Sequence, residues 1–169
     1  MPNPRIIVTK RTFLRRMEET DLLGIYETHA DSETRKYTWI NGLYTQEQIL
    51  LWIKNDLNTN NSGLYLLSII DKENAAFLGL CGLRMREDLG NQIDIAYRIH
   101  PNNRLNGIAT ETAKATVDWA FQERKLDKIL AQVHSENLAS QCIMRKLNFE
   151  LKDNQEPWWV YEFRNPFAP

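Results

Sequence analysis

The chain has 169 residues, of which 43% are hydrophobic and 25% charged, as is typical of one globular domain. Lysine and arginine total 21 against 22 aspartate and glutamate, so the formal net charge of −1 provides no global attraction for nucleic acid or an anionic membrane. No apolar run approaches the roughly 20 residues that span a bilayer, and no signal-peptide pattern opens the sequence. We therefore expect one cytoplasmic domain over residues 1–169, without nucleic-acid or membrane partners.

The cysteines and histidines carry no metal or redox signature. Cys81 and Cys142 lie in apolar sequence surroundings without the spacing of a zinc or redox motif, so we expect both to be reduced core residues. His29, His100 and His134 also lack metal-ligand spacing. No metal site is therefore predicted.

The first half of the chain predicts two short strands, two helices and a three-stranded antiparallel meander. Thr20 is predicted to cap the first helix, and Thr45 with Gln48 has the pattern of a capping box for the second, which extends to residue 57. Alternation in the last strand of the meander places Asp94 and Arg98 together on its polar face. The predicted strands cover 5–8, 12–16, 64–70, 77–86 and 92–99.

The second half continues as loop, helix, strand, helix and strand, which makes the whole chain a mixed α/β domain. Turn-forming residues fill 100–107, and an apolar stripe from Ala109 to Phe121 predicts a long helix. Ser135 or Asn137 is predicted to cap a later short helix. That helix ends at residue 147 and lies between strands predicted at 128–134 and 157–163.

The hexapeptide from Arg104 to Ala109 lies where a strand gives way to the long helix. The first turn of a helix has unpaired N–H groups and the positive end of the helix dipole, and Gly107 lets an anion approach the backbone closely. The segment lacks the features of a P-loop or a dinucleotide fingerprint, because no Gly-Lys-Ser/Thr follows and only one glycine is present. It can hold a pyrophosphate; alternatively, Gly107 only relieves a turn and Arg104 is solvated.

This hexapeptide resembles the Arg/Gln-x-x-Gly-x-Gly/Ala segment with which the GNAT superfamily of acetyl-CoA-dependent N-acetyltransferases cradles the pyrophosphate of coenzyme A. The segment 95–101 resembles the family's fourth strand and its exit, and the segments 79–83 and 137–149 are similar to the ribosomal-protein branch of RimJ/RimL type, although Asn148 replaces the usual glycine. The resemblance covers most of the chain. It implies an α/β (α+β) fold whose mixed, mostly antiparallel central sheet is flanked by helices and has splayed fourth and fifth strands.

The resemblance also implies acetyl-CoA as co-substrate, without a metal, and a pantetheine arm bound along strand backbone in the splay. Asn137 alternatively caps only its own helix, and Lys146 and Arg104 are alternatively solvated. The coenzyme-binding residues so implied are Ile99, Arg104, Leu105, Asn106, Gly107, Ile108, Ala109, Thr110, Asn137 and Lys146.

The resemblance further assigns catalytic roles. Asp94 is predicted to be the general base, acting through water, and the alternative is a surface carboxylate paired with Arg98. Glu87 and Asp88 are weaker candidates that suit the hairpin turn.

Ser140 is predicted to protonate the departing thiolate, because Met144 occupies the position of the tyrosine that many members use; the alternative is a serine on the helix surface. Of the large aromatic residues, which are usually core, we expect only Trp39 to touch substrate.

The acceptor predicted from the residues is an α-amine. Its pKa near 8 leaves about a tenth of it neutral at pH 7, whereas a lysine amine is neutral less than about once in a thousand, so a weak base suffices only for the former. The resemblance implies a ribosomal-protein N-terminus. The alternatives are a small amine, such as a polyamine or an antibiotic, and a non-catalytic acyl-CoA sensor. The protein is expected to act as a monomer or homodimer.

Overall fold

A computed structural model describes residues 4–38, 42–58 and 65–167, with side chains 57 and 58 excepted. Its strands form one eight-stranded sheet in the order β1-β2-β3-β4-β5-β6-β8-β7, and all neighbours are antiparallel except β5 and β6. This confirms the predicted mixed, mostly antiparallel sheet. The strands are β1 (Ile7–Val8), β2 (Thr12–Arg15), β3 (Leu66–Asp71), β4 (Phe77–Arg86), β5 (Gln92–Ile99), β6 (Lys128–His134), β7 (Glu150–Asp153) and β8 (Trp158–Arg164).

Helices cover both faces of the sheet because successive side chains of a strand point to opposite sides. In β4, Leu80 packs with Ile25, Ile49 and Ile53 from the first and third helices. The next residue, Cys81, belongs to the larger core cluster on the other face, which the fourth helix completes. The helices are α1 (Leu22–Ala30), α2 (Ser32–Lys36), α3 (Gln46–Asn58), α4 (Ile108–Gln122) and α5 (Leu138–Lys146).

The sheet opens between β5 and β6. Their register contains one pair, Asp94 with Leu130, whereas β5 pairs with β4 over its whole length. Beyond Asp94 the described residues of β5 have no partner in β6, which pairs instead with β8. β5 contains the segment that resembles the family's fourth strand, so the predicted splay between the fourth and fifth strands is confirmed. The splay leaves a strand edge of β5 available near Ile99.

Two predicted caps are confirmed and one is wrong. Thr45 and Gln48 exchange hydrogen bonds of 2.9 and 3.2 Å at the start of α3, and Asn137, not Ser135, caps α5. Thr20 lies inside a short 3-10 turn, in which Asp21 accepts a hydrogen bond from the Glu18 N–H at 2.9 Å. The turn therefore begins before the predicted cap.

Three further differences concern two short elements and one cysteine. The sequence patterns missed α2, which has five residues, and β7, whose four residues are all exposed. Cys142 is exposed on α5, so its prediction as a core residue is wrong, whereas Cys81 is buried. The predicted start of β3 at Leu64 lies outside the described residues. None of the described helices is both long and apolar enough to cross a membrane.

Candidate active site

The loop before α4 presents a row of free backbone N–H groups. Leu105 and Gly107 adopt left-handed backbone conformations, with φ of 62° and 75°. The first N–H to return into the helix is that of Glu111, which donates to the Gly107 carbonyl at 3.1 Å. The N–H groups of residues 105–110 have no acceptor among the described residues. They lie at the positive end of the α4 dipole, which suits a phosphate group.

The space beside Gly107 is open. A Cβ atom built on Gly107 would meet only the Arg11 Nη2 atom within 4 Å, at 3.5 Å, so no protein backbone fills the space. Ile108 is buried and anchors the start of α4, whereas the Leu105 side chain is fully exposed. The loop therefore brings together the backbone N–H groups of the predicted coenzyme residues Leu105, Asn106, Gly107, Ile108, Ala109 and Thr110.

Arg104 directs its side chain away from that row. Its guanidinium pairs with the Asp31 carboxylate and also donates to the Thr34 hydroxyl at 2.6 Å, which joins the loop to α2. Burial opposes ionisation of Asp31, but the hydrogen bonds from Arg104 and Thr34 and the charge of Arg104 together outweigh it and lower the pKa of that carboxyl. A phosphate contact from this guanidinium would require it to leave both partners.

Arg11 supplies a cation beside the loop that the sequence patterns did not indicate. Its Nη1 donates to the Asn106 carbonyl at 2.8 Å, and its Nε donates to the Glu111 carboxylate at 2.7 Å. The Thr9 hydroxyl holds the same carboxylate at 2.7 Å. Because these contacts join positions about a hundred residues apart, no local pattern could have revealed them.

Residues of α5 meet the open edge of β5. The Tyr97 hydroxyl donates to Ser140 Oγ at 3.1 Å, and burial raises the pKa of Tyr97, which keeps that donor protonated. Asn137 accepts the Ser140 N–H at 3.1 Å, so its capping role is confirmed. Met144 is fully buried, and Lys146 is exposed at the opposite end of the helix from Asn137. The structure thus brings Ser140, but not Lys146, beside β5.

A pocket of about 380 Å³ lies on the face of the sheet opposite α4. His29 of α1 closes one side, and Arg84 and Arg98 extend from β4 and β5. Trp39, the predicted substrate contact, lies outside the described residues. The remaining lining residues are Tyr44, Gln48, Ile49, Trp52 and Leu66.

Asp94 is held by two arginines at the point where the sheet begins to open. It is 0% exposed and accepts hydrogen bonds from Arg84 at 3.0 and 2.7 Å and from Arg86 at 3.0 Å. Its partners are therefore these two residues and not Arg98, the predicted alternative. Both carboxylate oxygens already accept hydrogen bonds from guanidinium groups and the side chain is closed to solvent, which weighs against the predicted role as a general base that acts through water.

The weaker base candidates are hairpin residues, as expected. Glu87 and Asp88 begin a short 3-10 turn between β4 and β5, and both are exposed. Asp88 pairs with Arg86 at 2.5 Å, and that hydrogen bond lowers the pKa of Asp88. Among the described residues, no group of three His, Cys, Asp or Glu side chains could hold a metal ion.

The pocket combines a neutral imidazole with a cation. Burial, and secondly the charge of Arg98, lower the pKa of His29 to about 4, so the ring is neutral at pH 7. Burial and the neighbouring Arg84 lower the pKa of Arg98 to about 10, which leaves it protonated at pH 7. The His29 ring lies edge-on to Tyr44 and Trp52, with ring centroids 5.4 and 5.7 Å away.

Known proteins resemble this chain in sequence. A family model described as an acetyltransferase (GNAT) domain matches residues 11–150. The chain is 30% identical over 158 residues to the uncharacterized protein YkkB of Bacillus subtilis (strain 168). The aligned residues cover 90% of this chain and 89% of YkkB.

Solved structures share the fold. A GNAT-family acetyltransferase from Bacillus anthracis superposes with a TM-score of 0.79 at 23% identity, over 94% of this chain and 98% of that one. RimL, a ribosomal α-N-protein acetyltransferase in complex with coenzyme A, superposes with a TM-score of 0.77 at 14% identity, over 95% and 98%. Because the family model covers most of the chain, the protein belongs to the GNAT family of acetyltransferases and is an acyltransferase.

Proposed function

We propose that this acetyltransferase moves the acetyl group of acetyl-CoA to an α-amino group, with the N-terminus of a protein as the acceptor. The coenzyme would bind its pyrophosphate at the free N–H groups of residues 105–110 and extend its pantetheine arm along the open edge of β5 near Ile99. The acceptor would enter from the opposite face, through the pocket beside His29 and Arg98.

The observation that carries this proposal is that the pocket offers no strong free base among the described residues. Asp94 is engaged by Arg84 and Arg86, and the pKa of His29 is about 4. An acceptor must therefore present a neutral amine largely by itself. An α-amine, about a tenth neutral at pH 7, meets that condition, whereas a lysine side chain does not.

The transfer then needs few protein groups. The neutral amine attacks the thioester carbonyl carbon and forms the C–N bond, the C–S bond then breaks with its electron pair on sulfur, and the nitrogen, made cationic by the attack, gives one proton to water. Ser140 Oγ already accepts a hydrogen bond from Tyr97, so its own hydrogen is available for the departing thiolate. Ser140 is thus proposed as the general acid, and it regains a proton from water once the thiol has formed.

Two acceptor classes fit this chemistry. A ribosomal-protein N-terminus is supported by the resemblance of residues 137–149 and by the shared fold with RimL. A small α-amino compound is supported by the limited pocket volume of about 380 Å³. A polyamine fits less well, because Arg84 and Arg98 repel a polycation.

An acceptor screen that detects free thiol tests the proposal. The panel contains a peptide with a free N-terminus, the same peptide N-acetylated but carrying one lysine, a free amino acid and spermidine. We expect turnover with the free α-amines and none with the blocked peptide. Turnover confined to lysine or spermidine would contradict the proposal, and coenzyme A binding without turnover of any acceptor would favour the sensor.

A further inference from the structure

The charges around the acceptor pocket do not cancel. Its lining includes two arginines and no acidic residue among the described residues. Arg84 is neutralised by Asp94, and that carboxylate also binds Arg86. Arg98 has no hydrogen bond or ion pair with any described residue. The charge of Asp94 acts on Arg98 only from a distance, so the pocket holds one guanidinium that no described carboxylate contacts.

A guanidinium in this position is suited to bind an anion. It carries five N–H donors in a planar fork that matches a carboxylate, and a charge removed from bulk water gains most from a paired ligand. Asp94, on the same face of β5, is held by Arg84 and Arg86 and forms no ion pair with Arg98. A carboxylate that pairs with Arg98 would therefore come from outside the described residues.

His29 gives a second, independent indication. The residue is 6% exposed, and its Nε2 atom has no hydrogen-bond partner among the described residues. Buried polar atoms are almost always hydrogen-bonded, so an unpartnered one in a pocket wall points to a ligand group. Edge contacts with Tyr44 and Trp52 hold the ring in place beside the pocket.

We infer that the acceptor of the proposed reaction carries a carboxylate, which Arg98 binds in the pocket while His29 Nε2 hydrogen-bonds the same acceptor. This inference rests on the proposed function and narrows it to an α-amino acid, or to a peptide whose N-terminal residue is acidic. The charge that attracts the carboxylate also disfavours polyamines. Arg98 is thus a residue that determines acceptor specificity.

Matched acceptors that differ in one charge test the inference. Glutamate, glutamine and isoglutamine separate the side-chain carboxylate from the α-carboxylate, and peptide amides beginning with Asp or Asn repeat the comparison without a C-terminal charge. Each is assayed with the native protein, Arg98→Gln and Arg98→Lys. Arg164→Gln is the control, since that side chain is 72% exposed at the far end of β8.

In at least one pair, we expect the acceptor with the additional carboxylate to have the higher kcat/KM. Arg98→Gln should lower that kcat/KM about 10- to 100-fold, the worth of a hydrogen bond to a charged group, and change that of the neutral member less than about threefold. Arg98→Lys should fall between, because it keeps the charge but loses the fork. Equal kcat/KM within every pair, or equal losses for both members in Arg98→Gln, overturns the inference.

Calorimetry separates this inference from the proposed function. Glutamate, glutamine and isoglutamine are titrated into the protein saturated with coenzyme A, where binding is measured without turnover. If no α-amine is acetylated, the proposed function fails, yet binding of glutamate that is tighter than that of one of the two amides, by a margin that disappears in Arg98→Gln, still supports the anion site. If glutamine and isoglutamine both bind as tightly as glutamate, neither carboxylate is recognised and the anion site is wrong even in an active enzyme.

Discussion

The buried imidazole of His29 makes a specific prediction about acid stability. In the unfolded chain a histidine takes up a proton near pH 6.5, whereas His29 in the folded protein does so only near pH 4. The folded state therefore binds fewer protons between these values. Stability from this residue is fully present above pH 6.5, declines as the pH falls, and is lost by about pH 4.

The magnitude follows from the difference of the two pKa values. Each pKa unit corresponds to about 1.4 kcal/mol, so His29 should reduce the free energy of unfolding by about 2 kcal/mol between pH 7 and pH 5, and by about 3 kcal/mol in total. That is a large share of the stability of an ordinary domain. Removing the titrating ring should therefore flatten the acid limb of the stability curve.

Urea unfolding at pH 7, 6 and 5, followed by tryptophan fluorescence, compares the native protein with His29→Asn. Contributions from the other titrating groups occur in both proteins and cancel in the difference between their pH profiles. The native protein should lose about 2 kcal/mol more than the variant by pH 5. Parallel profiles, or an NMR titration of His29 with a midpoint near 6.5, would refute the reasoning.

Three further predictions concern the loop and the two catalytic candidates. Gly107→Val should weaken coenzyme A binding at least about tenfold in calorimetry, because the valine side chain would cover the free N–H groups. The control is Gly90→Ala in the β4–β5 turn, which is strained at a similar φ of 70° and should leave coenzyme A binding unchanged. Equal affinities would exclude the loop as the phosphate site. Asp94→Asn should lower the free energy of unfolding, measured in urea, by about 3 kcal/mol, because two arginines lose their counterion. If the variant instead loses activity at unchanged stability, Asp94 acts as the general base. Ser140→Ala should lower kcat at least about tenfold at an unchanged KM for acetyl-CoA, and an unchanged kcat would exclude Ser140 as the acid.

Local patterns in the sequence were enough to predict most of the elements. Alternation over 92–99 correctly separated Tyr97 from Arg98, because a strand turns successive side chains to opposite faces. The capping box of α3 and the glycine before α4 could likewise be recognised, since each depends on residues only a few positions apart. The fully exposed strand β7 has no buried face, so no alternation marks it.

The partners of the charged side chains could not be predicted in the same way. Arg98 shares a strand face with Asp94 but lies four residues along the strand, which is about 13 Å. Arg84 lies directly opposite Asp94 in the register of β4 and β5, where side chains are about 5 Å apart. That register depends on the turn between the strands, and a slip of one residue would reverse every side chain. Long-range geometry therefore decides which arginine is left without an ion pair among the described residues.

The splay in the sheet explains how one strand can serve both substrates. Tyr97 points to the face of α4 and meets Ser140, while Arg98 points to the acceptor pocket on the opposite face. In a closed sheet these faces would be separated by a continuous layer of backbone hydrogen bonds. Because β5 and β6 are paired only at Asp94, a thioester on one side and an amine on the other can meet through the gap. The ion pairs of Asp94 with Arg84 and Arg86 lie at the paired end of that gap, and we propose that this carboxylate stabilises the sheet there and does not remove a proton.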